Sequence, residues 1–132
     1  MAKSIRDARE LAMKLVFQMD ANNNFDYEML VATDITEDFR NYPRVMDILE
    51  NIKIHIKAID KTIKDNSKNR KVARIPKTDV AILRVALCEI LYLDDVPEAV
   101  SINEAVELAK MYGTDKSKGF VNALLGQVVR SK

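Results

Sequence analysis

Apolar residues recur along most of this chain at intervals of three and four positions, which is the period of an amphipathic helix. The first such segment predicts a helix over residues 4–20, with Ser4 as its N-terminal cap. The positions expected to face inward are Ile5, Ala8, Leu11, Ala12, Leu15 and Met19. Three asparagines at 22–24 end this helix, and weaker patterns predict a helix over residues 26–33 and a short one over 36–40.

The longest periodic segment opens at Pro43, a residue suited to the first turn of a helix, and runs to about Asn66. It is rich in β-branched residues, but spacing of three and four favours a helix over a strand. The positions expected inside are Val45, Ile48, Leu49, Ile52, Ile56, Ile59 and Ile63. A central helix follows over residues 78–93. Because only Arg84 and Glu89 interrupt its apolar stretch, which is too short to span a bilayer, we expect it to be buried.

Two more helices and the corner between them are predicted over residues 94–129. The spacing Ser101-x-x-Glu104 is typical of a capping box at a helix start. Gly113 is expected to end that helix in the left-handed conformation. The residues expected to cap the last helix are Asp115 or Ser117. The two apolar stripes are Ile102, Ala105, Val106 and Ala109, then Phe120, Leu124 and Val128.

These patterns together predict a nearly all-helical chain. Only three glycines and three prolines occur among 132 residues, and helix-forming residues fill the rest. Six or seven helices joined by short turns are expected to pack as an all-α bundle. The length is typical of one domain, and a hydrophobic content of 48% is enough to bury a core. We therefore expect a single domain over residues 1–132.

Composition indicates the cellular compartment in which such a protein is expected. The single cysteine, Cys88, allows no disulfide within the chain and no zinc cluster, which favours a reduced intracellular setting. The first residues contain no apolar run, so no signal peptide is expected. The sequence therefore predicts a soluble, cytoplasmic protein with no membrane partner.

The residue types that catalysis needs occur singly rather than as a nucleophile, a base and an orienting group together. His55, the only histidine, is expected at a partly buried edge of the long helix, and Cys88 in the apolar face of the central helix. The three glycines are spread too widely for a phosphate-binding loop. Arg84 and Glu89 are expected to pair with each other inside the bundle. The sequence predicts no enzyme, no metal site and no cofactor.

Charge is balanced overall, at +1, but it is unevenly distributed. Residues 61–77 hold seven basic side chains and one acidic one, a net charge of +6. Such a segment can follow a phosphate backbone, and the alternative is a solvated loop without a partner. Lys3, Arg6 and Arg9 are spaced three apart on one face of the first helix. Cations there oppose the helix dipole, so they are either incidental or bind a polyanion.

The corner before the last helix is the other candidate binding site. Lys116, Ser117 and Lys118 lie on a first helical turn, where free backbone N–H groups also suit a phosphate. Phe120 could stack on an unpaired base, which is how single-stranded RNA is usually bound. Packing of Phe120 in the core is the alternative.

Several segments resemble the NusB family of bacterial transcription antitermination factors. Residues 94–129 closely resemble the C-terminal signature of that family. Residues 74–89, with the core Leu-Arg-x-Ala-x-x-Glu, resemble its central helix, and residues 8–18 its first helix. Residues 59–63 are similar to its third helix, whereas residues 21–44 carry little of the signature. The resemblance implies two packed helical bundles, an N-terminal subdomain of about residues 1–66 and a C-terminal one of about 75–132.

The resemblance also implies a function and an RNA-binding surface. NusB proteins bind the single-stranded boxA element of nascent RNA, notably on ribosomal RNA operons, while RNA polymerase elongates. An arginine-rich N-terminal segment helps in this contact, and Lys3, Arg6 and Arg9 occupy it here. Ile5 and Asp7 stand where members often have basic residues, so a weaker contact is expected. The second implied RNA contact is the corner before the last helix. The residues of this chain that match it are Lys116, Ser117, Lys118 and Phe120.

The family's protein partner is NusE, a small-subunit ribosomal protein that binds boxA with NusB. Phe17 matches a position that is usually aromatic, and Asp79 matches an acidic position opening the central helix. Both are expected to contact NusE. The alternative for Phe17 is packing in the core, and the alternative for Asp79 is a structural role as an acid at a helix start, where the dipole favours it. Lys116 replaces an acid found in some members, which favours RNA electrostatically.

Two other functions compete with this interpretation. One is the NusB-like domain of some RNA cytosine methyltransferases, which requires a long catalytic extension with a glycine-rich cofactor site. The chain ends at Lys132, which disfavours it. The other is a protein-only interaction module with weak RNA binding, such as a homodimer that hides its basic face.

Overall fold

The computed structural model describes residues 4–29, 39–68 and 71–132. These ranges form five α-helices and three short 3-10 turns, and they contain no strand. The helices are α1 Ile5–Ala21, α2 Pro43–Asp65, α3 Lys77–Tyr92, α4 Glu98–Tyr112 and α5 Ser117–Arg130. The 3-10 turns are Tyr27–Met29, Phe39–Asn41 and Val72–Arg74. The all-α class is confirmed, although the described helices number five rather than six or seven.

The first half follows the sequence pattern closely. The Asp7 N–H donates to the Ser4 side-chain oxygen at 3.1 Å, so Ser4 caps α1 as expected. Pro43 is the first residue of α2, a single long segment with non-helical angles at His55. Of the helices predicted over 26–33 and 36–40, the parts at 30–33 and 36–38 lie outside the described residues. The described parts contain only 3-10 turns.

Helix α3 is the centre of the molecule, because it packs against all four other α-helices. Every residue from Asp79 to Ile90 is buried, so this helix has no face in contact with solvent. Apolar residues therefore occur on every side of this helix, so its sequence shows no apolar stripe confined to one face. The buried side chains of all five helices form one continuous core. The expected division into subdomains of about 1–66 and 75–132 stays a prediction.

Two of the buried charges of α3, Arg84 and Glu89, pair with neighbouring helices rather than with each other. Arg84 donates through Nε and Nη2 to the two carboxylate oxygens of Asp60 on α2, both at 2.9 Å. Glu89 accepts from Arg9 Nε of α1 at 2.7 Å. The expected Arg84–Glu89 pair is wrong, because side chains five positions apart on a helix point in different directions. These ion pairs instead join α3 to α2 and to α1.

The start of α4 also differs from the prediction. Helix α4 begins at Glu98, and Pro97 precedes it without a capping side-chain hydrogen bond. Ser101 therefore lies within the helix, where its hydroxyl donates to Glu89 at 3.2 Å. The capping box is wrong because Ser101 and Glu104 make long-range contacts instead; Glu104 binds Arg6 of α1.

The corner between α4 and α5 is held by hydrogen bonds around Ser117. Gly113 has an extended backbone (φ −95°, ψ −167°) rather than the expected left-handed one. A Cβ there would lie 2.4 Å from Ser117 Oγ, so the position needs glycine for space. Lys116, not Asp115 or Ser117, directly precedes α5, and its side chain caps nothing. Ser117 Oγ instead accepts from the Thr114 N–H at 2.9 Å.

Six expected core positions are less buried than the pattern suggested. Ile5 on the first turn of α1 is exposed. The half-buried ones are Leu11, Ile56, Ile102, Val106 and Phe120. The other expected positions of α2 are all buried. Cys88 is fully buried, as predicted, and His55 is half-buried, with its ring stacked on Tyr92 at a centroid distance of 3.7 Å. Ile5, Ile102 and Phe120 lie near the starts of their helices, and Ile56 follows the non-helical point of α2.

Candidate nucleic-acid interface

Helices α1 and α4 lie side by side and form a shallow groove on the surface. The groove is lined by charged side chains and a few apolar ones. Its lining residues are Arg6, Asp7, Arg9, Glu10, Glu104, Glu107, Leu108 and Met111. Polar contacts join the two helices along their length, from Arg6–Glu104 at one end to Glu10–Tyr112 further along. We call this surface the α1–α4 face.

Arg6 presents its charge on this face. Its side chain is 71% exposed, and Nε and Nη2 donate to the two carboxylate oxygens of Glu104, both at 3.0 Å. The hydrogen bond to Glu104 raises the pKa of Arg6 above its usual value. Such an exposed pair contributes little to folding stability, but it fixes the direction of the guanidinium. Arg6 is therefore both oriented and accessible.

Arg9 occupies a different environment, although it is only three positions away. Its side chain is 6% exposed, and besides Glu89 it lies 3.7 Å from a Glu104 oxygen. The expected direct contact between Arg9 and RNA is corrected to a structural role, because its guanidinium is enclosed by α1, α3 and α4. Lys3, the third member of this group, lies outside the described residues.

The corner supplies cations at the other end of the face. Lys116 and Lys118 are exposed, and Phe120 is half-buried against the core. Ser117 is 1% exposed, and its hydroxyl accepts the hydrogen bond that holds the turn. Its expected RNA contact is therefore replaced by a structural role, in which it supports the neighbouring lysines. From Glu104 to the end of α4 the helix rises about 12 Å. Arg6 and the corner are thus two ends of one surface rather than a single cluster.

An apolar hollow lies where α1 passes the C-terminal end of α4. Phe17 is 41% exposed and lines it with Met13, Lys14, Thr78 and Tyr112. Asp79, the other expected partner contact, is 3% exposed in the first turn of α3. It is beside Thr78 but below the surface. The expected direct contact of Asp79 with NusE is therefore replaced by a structural role, because an acid in the first turn of a helix interacts favourably with the helix dipole.

Two contributors to this face were not predicted from the sequence. Glu104 binds Arg6 across 98 positions of sequence, a pairing that only the fold creates. Tyr112 also contributes; its hydroxyl donates to Glu10 from the last turn of α4. That hydrogen bond and burial raise the pKa of the phenol. An aromatic residue directly before Gly113 was the one available sign of its role.

The described residues offer binding groups rather than reacting ones. They contain no group of three His, Cys, Asp or Glu side chains placed to hold a metal ion. Burial raises the pKa of the Cys88 thiol to about 12, so it stays neutral and is a poor nucleophile. Among the same residues, no helix is long and apolar enough to cross a membrane. These features define an all-helical binding protein with cationic and aromatic side chains on one face.

Comparison with known proteins identifies the family within that class. A family model described as the NusB family matches residues 6–130, and the chain belongs to this family. The transcription antitermination protein NusB of Natranaerobius thermophilus is 44% identical over 131 residues, covering 95% of this chain and 94% of that protein. This relative is a transcription factor, in agreement with the expectation that the chain is no enzyme.

Solved structures have the same fold. NusB of T. maritima superposes with a TM-score of 0.84 at 30% identity, covering 98% of this chain and 93% of that one. A structure of the antitermination factors NusB and NusE in complex with double-stranded RNA matches with a TM-score of 0.80, covering 96% of each chain. Its identity is 19%, so this similarity concerns the fold alone.

Proposed function

We propose that this protein is a cytoplasmic, non-enzymatic antitermination adaptor that binds the boxA element of nascent ribosomal RNA together with NusE. In this role it joins the RNA polymerase antitermination complex. Membership of the NusB family supports the class of function. The structural neighbour that contains NusE and RNA supports the choice of partners.

The observation that carries the RNA contact is the placement of exposed cations at both ends of the α1–α4 face. Arg6 lies at one end, and Lys116 and Lys118 lie at the other. Arginine and lysine bind phosphates, and a partly exposed ring such as Phe120 can stack on an unpaired base. A single strand is favoured because its bases are free to reach that ring. Arg9 and Ser117 support this surface from below.

The hollow around Phe17 is the proposed NusE site. It offers an exposed aromatic ring, and Met13 and Tyr112 line the same hollow. Aromatic and methionine side chains are enriched at protein–protein interfaces. Because Tyr112 is the last residue of α4, a protein bound in the hollow is close to RNA held at the corner that follows. Asp79 follows Thr78 in the first turn of α3 and is 3% exposed, so it lies below this hollow.

The RNA contact is tested by titrating labelled boxA RNA with the parent protein, Arg6→Gln, and the double variant Lys116→Gln/Lys118→Gln. Each cation removed is expected to weaken binding about fivefold at low salt, through loss of a phosphate contact. Arg130→Gln is the matched control, since this exposed cation lies at the far end of α5 and should bind like the parent. Equal affinity of all four proteins, or binding indifferent to salt, would contradict the proposal.

A homodimer that hides the α1–α4 face is the second candidate. The specific observation in its favour is that Met111, Tyr112 and Phe17 are exposed large apolar side chains on or beside this face. Sedimentation at several protein concentrations distinguishes the two. A dimer that dissociates when boxA RNA is added supports mutually exclusive use of the face, whereas a monomer at all concentrations removes this candidate.

A further inference from the structure

A second group of cations lies away from the α1–α4 face, between α2 and α3. It consists of four exposed side chains that make no ion pair with another described residue: Lys64, Lys68, Lys71 and Arg74. Two neighbours differ, because Lys61 pairs with Asp65 at 2.7 Å and Lys77 with Asp20 at 3.4 Å. We call the four unpaired side chains the free basic cluster.

Folding accounts for only part of this cluster. Lys64 lies in the last turn of α2, where the helix dipole favours a cation. Lys71 and Arg74 lie before α3, outside the first turn on which the helix dipole acts. Neither makes an ion pair with another described residue. The fold therefore shows no structural role for these two charges.

The backbone between them is nevertheless firmly positioned. Lys71 and Arg74 are the residue before and the last residue of the 3-10 turn Val72–Arg74, and the Arg74 N–H donates to the Lys71 carbonyl at 2.9 Å. Ile75, which is buried, and the half-buried Val72 fix this turn to the core. The backbone that carries the two cations is thus held in place at the surface.

Their location places them beyond one end of the α1–α4 face. The Lys77–Asp20 ion pair puts this segment beside the C-terminal end of α1, and the next residue, Thr78, lines the hollow around Phe17. From Arg6 to Asp20 the helix rises about 21 Å. A flexible RNA that leaves the α1–α4 face in this direction would meet the free basic cluster next.

We propose that the free basic cluster is a second RNA-binding surface, which holds the phosphate backbone of RNA flanking the element bound on the α1–α4 face. The inference rests on the proposed RNA-binding function and extends it. Lysines act as point charges on phosphates, so the surface adds affinity without reading sequence. It therefore sets how tightly a long transcript is held, whereas the α1–α4 face selects the element.

The test uses the full chain and two RNAs, one of about 12 nucleotides containing boxA and the same RNA lengthened to about 30 on both sides. The cluster variant is Lys64→Gln/Lys71→Gln/Arg74→Gln; Lys68 is kept because its backbone is left-handed (φ 56°). The control variant removes three exposed cations elsewhere, as Lys53→Gln/Arg130→Gln/Lys132→Gln. Both variants carry the same net charge; Lys53 and Lys132 are ion-paired with Asp26 and Glu98, whereas the cluster side chains are not. Thermal unfolding of each confirms that it folds.

The parent is expected to bind the long RNA more tightly than the short one. The cluster variant should lose about tenfold in affinity for the long RNA, with a salt dependence shallower by about 2 in log–log slope. Its affinity for the short RNA should match the control. Equal loss on both RNAs, loss no greater than in the control, or no gain on lengthening overturns the inference and leaves the proposed function standing. If the parent binds neither RNA, both are wrong.

Discussion

Arg6 and Arg9 show how much the fold can change the role of a residue. Both are arginines on the same side of α1, but the Arg6 side chain remains in solvent while the Arg9 side chain is enclosed next to Glu89. Spacing in sequence fixes which side of α1 a residue is on. It does not fix whether a residue with no apolar character will be covered by another helix. Only the packing of α3 and α4 against α1 decides that.

We predict that Arg9→Met lowers the free energy of unfolding by about 3 kcal/mol, because it leaves the Glu89 carboxylate buried without its main cationic partner. Urea denaturation followed by circular dichroism measures this loss. Arg6→Met is the control, and its unfolding curve should overlay that of the parent because its ion pair is in solvent. Equal stability of both variants would show that the buried pair is not a structural element.

Cys88 gives a prediction on pH. Burial raises the pKa of its thiol to about 12, so the folded protein keeps the proton where the unfolded chain, near the ordinary value of 9.0, releases it. Stability linked to this group is therefore complete below about pH 9 and declines as pH rises towards 12. At pH 8 the thiol should not react with a thiol reagent until urea unfolds the chain. Rapid labelling of the native protein would disprove the burial.

At the scale of elements, the corner at Gly113 depends on close approach rather than on backbone handedness. We predict that Gly113→Ala destabilises the protein by about 1–3 kcal/mol, since the new methyl group overlaps Ser117 Oγ. The same substitution at Gly119, within α5, meets no atom within 4 Å and should stabilise by about 0.5–1 kcal/mol. Thermal unfolding of the two variants measures the opposite shifts; a loss at both positions would contradict the account.

The elements that the sequence predicted well are those in which local signals agree with tertiary packing. Pro43 and the apolar period defined α2, and Ser4 defined the start of α1. The start of α4 was misplaced because Ser101 and Glu104 have the spacing of a capping box but are used for contacts with α3 and α1. The same types of polar residue cap helices and make contacts between helices, and the spacing of residues in the sequence cannot distinguish the two roles.

The candidate site was predictable to a similar extent. Arg6, Phe17, Lys116 and Lys118 are exposed and so are accessible to a partner, and their roles stay predictions. Asp79 and Ser117 were chosen for their chemistry, yet both are buried, and Ser117 accepts a hydrogen bond from the Thr114 backbone N–H instead of meeting a ligand. The partners of the charged residues lie far away in sequence and could not be inferred from spacing.

At the scale of the whole molecule, the proposed RNA and protein contacts share one face. If NusE and boxA RNA bind together, the factor by which NusE tightens RNA binding must equal the factor by which RNA tightens NusE binding. We predict that Phe17→Ala weakens NusE binding and removes the gain in RNA affinity, while binding of RNA alone is unchanged. Isothermal titration in both orders measures the two factors.

The control for this prediction is Ile54→Ala, which removes another exposed large apolar side chain, on α2. It should leave both affinities as in the parent. If Phe17→Ala weakens the binding of RNA alone, the hollow is part of the RNA surface and the proposed division between the two partners is wrong.

The enclosure of α3 on all sides has one more consequence. Its backbone amide protons can meet solvent only when the surrounding helices separate, which means when the whole molecule opens. Deuterium should therefore enter α3 last and at the rate of global unfolding, while the solvent-facing sides of α1 and α4 exchange through smaller openings. The binding face can thus fluctuate locally without disturbing the helix that holds the molecule together.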